Sequence, residues 1–132
     1  NLNKAYSAFV NDGVVISPKL IVDDSATEKT SAVSKEVADE VFNLMVKVVE
    51  DGRGTGHDAY IPGKIIAAKT GTAEVPGSEE NTTDELGWFV AIDKSDNTPY
   101  ITSMMIENAK DRGGSHLAID RVKAYIQDYS PN

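Results

Sequence analysis

The sequence predicts an α+β fold of the α/β sandwich type: an antiparallel sheet, a meander of three strands, with helices packed on it. Two observations carry the strands. Residues 64–75, 86–93 and 100–107 are apolar or β-branched runs bounded by glycine, proline and turn residues. The middle run, Leu86-Gly87-Trp88-Phe89-Val90-Ala91-Ile92, is almost wholly apolar, so it is expected to be buried on both faces. A third observation carries the helices. Apolar residues recur at spacings of three and four within 37–49 and again within 118–129.

In chain order, Leu2, Ala5, Tyr6, Phe9 and Val10 fall at helical spacing. Asn11-Asp12-Gly13 ends that helix, with Gly13 able to take the left-handed terminal position. Because the first residues already read as helix, the chain is expected to be a piece of a longer protein. Val14-Val15-Ile16 and Lys19-Leu20-Ile21-Val22 read as short extended pieces around Ser17-Pro18, and residues 23–31 are polar and expected at the surface. Ser34 caps the next helix, with Glu36 in its first turn. Val37, Val41, Leu44 and Val48 are expected to line its inner face, with Ala38, Phe42, Met45 and Val49 beside them. Glu50-Asp51-Gly52 ends it, and Arg53-Gly54-Thr55-Gly56-His57-Asp58 reads as a flexible connector. After the three strands, Ser115 caps a last helix with Ala118, Ile119, Val122, Tyr125, Ile126 and Tyr129 inward. The acidic segment 76–85 is expected to be a mobile loop.

Composition narrows the function. The 132 residues suit one compact domain or part of a larger one. Lys and Arg number 13 against 21 Asp and Glu, a net charge of -8, which argues against nucleic acid and anionic membrane surfaces as partners. With no cysteine, disulfides, thiolate chemistry and cysteine–zinc sites are excluded. No basic leader pattern opens the chain, and no run is long enough to span a bilayer.

The residues that can carry chemistry are Lys69-Thr70-Gly71-Thr72, at the end of the first long strand. They set a cation, hydroxyls and a side-chain-free backbone in one row. An acyl-transfer enzyme acting on a peptide with a free terminal carboxylate needs such a row. The cation and hydroxyls hold the carboxylate, and backbone N–H groups meet the developing oxyanion. Gly71 leaves room for a substrate to lie along the strand as a further strand. Alone, the tripeptide reads as a solvent-facing strand end; its neighbours change that.

Gly63-Lys64-Ile65-Ile66-Ala67-Ala68-Lys69-Thr70-Gly71-Thr72-Ala73-Glu74, followed after a short loop by Gly87-Trp88-Phe89-Val90-Ala91, resembles the C-terminal part of a penicillin-binding protein transpeptidase domain. Lys-Thr-Gly-Thr-Ala-Glu with Gly-Trp-Phe is similar to the class B, monofunctional enzymes. The stretch from Ala5 to Gly13 before Pro18, and the helix ending in a Gly-Thr-Gly loop, fit the same family, so the resemblance covers residues 1–132. It implies a five-stranded sheet of which this chain supplies three strands and the last helix. It implies acyl transfer from a D-alanyl-D-alanine stem peptide, through an acyl-serine, to a peptidoglycan amine, with β-lactams acylating the same serine. Lys69 would assist proton transfer and steer the carboxylate. Thr70 and Thr72 would hydrogen-bond it, the Thr72 N–H would be half of the oxyanion hole, and Gly71 would keep the edge open. No cofactor or metal is implied. The parent would sit at the extracytoplasmic face of the bacterial membrane, anchored by another segment, among cell-wall synthesis proteins.

The departures matter as much. No serine in this chain begins a Ser-x-x-Lys. The nucleophile and its lysine base are therefore expected upstream, and the chain alone is expected to be inactive and prone to self-association through open strand edges. A Ser-x-Asn does occur at Ser95-Asp96-Asn97, but it follows the Lys-Thr-Gly instead of preceding it, and it reads as a turn. Gly52-Arg53-Gly54-Thr55-Gly56 lacks the spacing of a phosphate loop. Asp93, Ser95 and Asn97 mimic a calcium loop, but Thr98 and Met104 stand where glycine and glutamate belong. His57 and His116 have no metal-ligand spacing and read as surface or capping residues. Trp88 and Phe89 read as core, and Asn81-Thr82-Thr83 is a chance-frequency glycosylation pattern. Two rival readings stay open: a serine β-lactamase or β-lactam sensor of the same fold, and a non-catalytic domain that docks a peptide carboxylate on Lys69-Thr70-Gly71.

Overall fold

A computed structural model of the chain describes residues 2–19, 21, 26–76 and 83–129. It divides into two compact units, residues 1–44 and 45–132. In the first unit, α1 (Leu2–Tyr6) runs into a 3-10 turn (Ser7–Val10), followed by β1 (Val14–Ile16) and β2 (Lys29–Ser31). The predicted single helix thus tightens after Tyr6. Gly13 ends it at φ +83°, and a Cβ there would stand 2.1 Å from the Val33 carbonyl oxygen, so only glycine fits. The polar stretch expected to be merely exposed contains β2, paired antiparallel with β1 in the register Val15↔Thr30. All three β2 residues are exposed. The strand therefore rests on backbone pairing and leaves no hydrophobic pattern to read. Of the extended piece expected at 19–22, Lys19 and Ile21 are in no strand, and Leu20 and Val22 lie outside the described residues.

The helix α2 (Lys35–Glu50) crosses the boundary between the units. The Val37 N–H donates to Ser34 Oγ, so the predicted cap is present. The inner face is turned by about one residue from the expected one. Ala38, Phe42, Met45, Val46 and Val49 are buried, whereas Val37 and Leu44 are 46% and 62% exposed. Apolar residues cover more than half the circumference of this helix, so spacing alone does not choose the centre of the buried face.

The second unit is built on β3 (Ile66–Pro76), β4 (Thr83–Asp93) and β5 (Tyr100–Ile106), an antiparallel sheet in the order β3-β4-β5. The predicted meander is there, with β4 in the middle. Phe89, Val90, Ala91 and Ile92 are buried on both of its faces. On one face Ile66, Ala68, Phe89 and Ala91 join Ala118, Ile119, Val122 and Ile126 of α3 (His116–Tyr129) in one core. Tyr125 and Tyr129, expected inward, are exposed. Their rings stack on each other 5.0 Å apart, an i,i+4 pair that lines a small pocket with Asp93, Tyr100, Thr102 and Ile126. The supposed loop 76–85 is shorter than expected: β3 continues through Pro76 and β4 already begins at Thr83, with Glu74 opposite Glu85. Residues 77–82, with Glu79, Glu80 and the Asn81-Thr82 of the glycosylation pattern, lie outside the described residues.

Two features fix the ends of this sheet. The chain after β5 folds back on β4, with the Ala109 N–H donating to the Glu85 carbonyl at 2.8 Å. A Cβ on Gly87 would stand 2.5 Å from the Gly114 carbonyl oxygen, so the turn leading into α3 closes on β4 only because residue 87 is glycine. At the other end, Asp93 and Ser95 staple the β4–β5 turn to the start of β3. The Ser95 hydroxyl donates to Asp93 Oδ1 and accepts the Ile65 N–H at 3.0 Å. Lys64 Nζ donates to Asp93 Oδ2 at 3.3 Å, at a carboxylate that is 2% exposed. Ser95 of the out-of-order Ser-x-Asn is thereby committed to a turn.

Candidate active-site edge

Lys69, Thr70, Gly71 and Thr72 occupy consecutive positions of β3, opposite Val90, Phe89, Trp88 and Gly87 of β4. Among the described residues β3 pairs with β4 alone, so its other edge is open. Side chains alternate along a strand. Thr70 and Thr72 therefore share the face of Ile66 and Ala68, toward α3, and Lys69 projects from the opposite face, beside Trp88. Lys69 and Thr72 are exposed, and Thr70 and Gly71 are half-buried. The apolar start of β3 holds the strand in the core, and its polar continuation emerges at the surface.

Lys69 Nζ donates to the carbonyl of Thr70 at 2.6 Å, folding the cation back along its own strand. Gly71 faces Trp88 closely: a Cβ at position 71 would meet Trp88 Cβ at 3.4 Å. Phe89 is fully buried, as expected of a core residue, whereas Trp88 is only half-buried and faces the Lys69 side.

The loop before β3 is where the geometry departs most from the reading of the sequence. Far from being slack, residues 51–57 are held by a series of bonds. Asp51 Oδ1 accepts the Arg53 N–H at 2.9 Å, and that bond, with the Arg53 guanidinium, holds the Asp51 carboxyl below its usual range. The Gly54 N–H donates to Asp51 O at 2.8 Å, the Gly56 N–H to Val48 O at 3.2 Å, and the His57 N–H to Gly54 O at 3.0 Å. His57 Nδ1 donates to the Val49 carbonyl at 2.9 Å, so the histidine caps the end of α2. His116 Nδ1 lies 3.1 Å from Asp58 Oδ2, and Lys123 Nζ donates to Asp58 O at 2.7 Å, tying α3 to the 3-10 turn His57–Ala59. The outcome is that Thr55 Oγ1 stands 2.9 Å from Thr70 Oγ1. Thr55 is the residue of this edge that the sequence did not disclose. Its only signal was the pair of glycines around it.

The family model of the penicillin binding protein transpeptidase domain matches residues 1–127. The chain belongs to the penicillin-binding protein transpeptidase family. It is 38% identical over 131 residues to penicillin-binding protein 3 of Bacillus subtilis (strain 168), a match that takes in 96% of this chain and 20% of the relative. The chain thus spans about a fifth of that curated relative's length. The apo transpeptidase domain of Burkholderia pseudomallei penicillin-binding protein 3 has a similar fold, with a TM-score of 0.73 and 21% identity, covering 98% of this chain and 42% of that one. A peptidoglycan synthetase from Bifidobacterium adolescentis ATCC 15703 is similar in fold too, with a TM-score of 0.73 and 22% identity over 99% of this chain and 28% of that one. The transpeptidase family and the α+β fold with its antiparallel meander therefore stand as the sequence predicted.

Proposed function

We propose that this chain is the Lys-Thr-Gly-bearing part of a class B serine D,D-transpeptidase, and that the open edge of β3 binds the substrate while another part of the parent carries the nucleophile. The observation behind this is the placement of Lys69-Thr70-Gly71-Thr72 on a strand edge that no strand among the described residues pairs with, in register with Gly87-Trp88-Phe89-Val90. A D-alanyl-D-alanine stem peptide would lie beside β3 as an added strand. Its terminal carboxylate would accept hydrogen bonds from the Thr70 and Thr72 hydroxyls, with the Lys69 ammonium supplying the charge. The Thr72 N–H would meet the oxyanion as the serine attacks the penultimate carbonyl. The serine ester forms as the terminal D-alanine leaves with a proton, for which Lys69 is one route. An amine of a neighbouring peptidoglycan strand then takes the acyl group and returns the proton to the serine. A β-lactam carries a carboxylate beside a reactive carbonyl and fits the same edge. The parent's location outside the cytoplasmic membrane and its cell-wall partners belong to this same reading.

The test is acylation of the intact transpeptidase by penicillin. Lys69→Ala is expected to slow acylation roughly 100-fold, the scale of losing a preorganised electrostatic contact. Acylation of that variant at the parental rate would overturn the assignment.

A further inference from the structure

We infer that Thr55, on the loop after α2, is a positioning residue for the Thr70 hydroxyl and thereby for recognition of the substrate carboxylate. This rests on the reading of Thr70 given above. A hydroxyl has one proton and two lone pairs, and a carboxylate can only accept. Thr70 can bond the carboxylate only by donating its single proton outward. The 2.9 Å bond between the two threonines must then run from Thr55 as donor to Thr70 as acceptor. Thr55 satisfies the oxygen of Thr70 from behind and leaves its proton aimed at the open edge. Hydrogen bonds arranged head to tail strengthen one another, so the bond from Thr55 also makes Thr70 a better donor.

The loop is built to hold Thr55 there. A Cβ on Gly54 would stand 2.2 Å from the Val48 carbonyl oxygen. One on Gly56 would stand 3.0 Å from Val48 Cγ1 and 3.5 Å from the buried Phe89 ring. Phe89 is in turn the residue opposite Thr70 across the β3–β4 pair. Glycine on both sides of Thr55 therefore lets the loop press against the last turn of α2 and over Phe89, and this closeness brings the hydroxyl within reach of β3. Thr55 itself is exposed, so changing it does not open the core.

The experiment compares acylation rates of the intact transpeptidase by benzylpenicillin and by its methyl ester, which lacks the carboxylate charge. In Thr55→Val the acid-to-ester rate ratio is expected to fall about fivefold, the scale of one hydrogen bond. Thr55→Ser, which keeps the hydroxyl, is expected to restore the ratio. The double variant Thr55→Val/Thr70→Val is expected to match Thr70→Val alone, because the two hydroxyls act in series. An unchanged ratio in Thr55→Val, an equal loss for acid and ester, or no recovery in Thr55→Ser would overturn the inference while the role of Thr70 stands. An unchanged ratio in Thr70→Val would overturn the reading of Thr70 and this inference with it.

Discussion

Replacing Gly54 by alanine tests the loop that joins α2 to the edge of β3. The added Cβ would stand 2.2 Å from Val48 O, 2.8 Å from Val48 C and 3.0 Å from Asp51 O, all backbone atoms with no side-chain freedom to yield. The first contact is about 1.2 Å short of the 3.4 Å at which ordinary contact begins, so the loop must retreat by about that distance. A retreat of that size strains the Gly54–Asp51 and Gly56–Val48 bonds and carries Thr55 beyond hydrogen-bond reach of Thr70. Overpacking of this kind costs about 2 kcal/mol, roughly a 30-fold drop in the folding equilibrium. At a urea slope of about 2 kcal/mol per molar, the unfolding midpoint should fall by about 1 M. Gly52→Ala in the same loop is the control. A Cβ there meets nothing within 4 Å, so it should leave the midpoint unchanged or raise it slightly. Coincident midpoints for the two variants would refute the claim that close packing holds this loop.

Other perturbations separate buried from exposed electrostatics. Lys64→Met removes the cation paired with Asp93 and should cost about 3 kcal/mol, because that carboxylate is buried. Lys47→Met, which breaks an exposed pair with Glu50, should cost less than about 1 kcal/mol in the same urea titration. The carboxyls of Asp51 and Glu36 titrate below their ordinary values of 3.8 and 4.5. Asp51 is held down by the Arg53 backbone N–H and guanidinium, and Glu36 by its own backbone N–H and the Ser34 hydroxyl. A depressed folded-state value means the stabilisation is whole above the unfolded value and disappears as pH falls through the folded one. The urea midpoint should therefore hold from neutral pH down to about pH 5 and decline below it, and Asp51→Asn should make the acid decline shallower.

How much of this was legible depended on whether the signal was local. The β4 run is apolar along its length, so its burial on both faces could be read directly. Lys69-Thr70-Gly71-Thr72 carries its chemistry in consecutive residues, so its place on a strand followed from the apolar residues before it; the strand runs on to Pro76, however, and the four residues lie in its middle and not at the expected end. The α2 face was one position off because Val37 and Leu44 are as hydrophobic as the residues that are buried. Tyr125 and Tyr129 keep the spacing of inward residues yet stack on each other and stay exposed. Polar Lys29-Thr30-Ser31 forms β2 through backbone bonds that no side-chain pattern announces. Thr55 was hidden for another reason. It meets Thr70 fifteen residues away, and the glycines that make the approach possible look, in a sequence, the same as glycines that make a chain slack.

The central claim is that this chain supplies the carboxylate-binding edge of a transpeptidase and that the acylated serine lies elsewhere in the parent. Intact-mass measurement of this chain after exposure to penicillin tests that most directly. The account predicts an unmodified mass for the chain alone, since none of its serines begins a Ser-x-x-Lys. A stoichiometric penicilloyl adduct on any of those serines would contradict it.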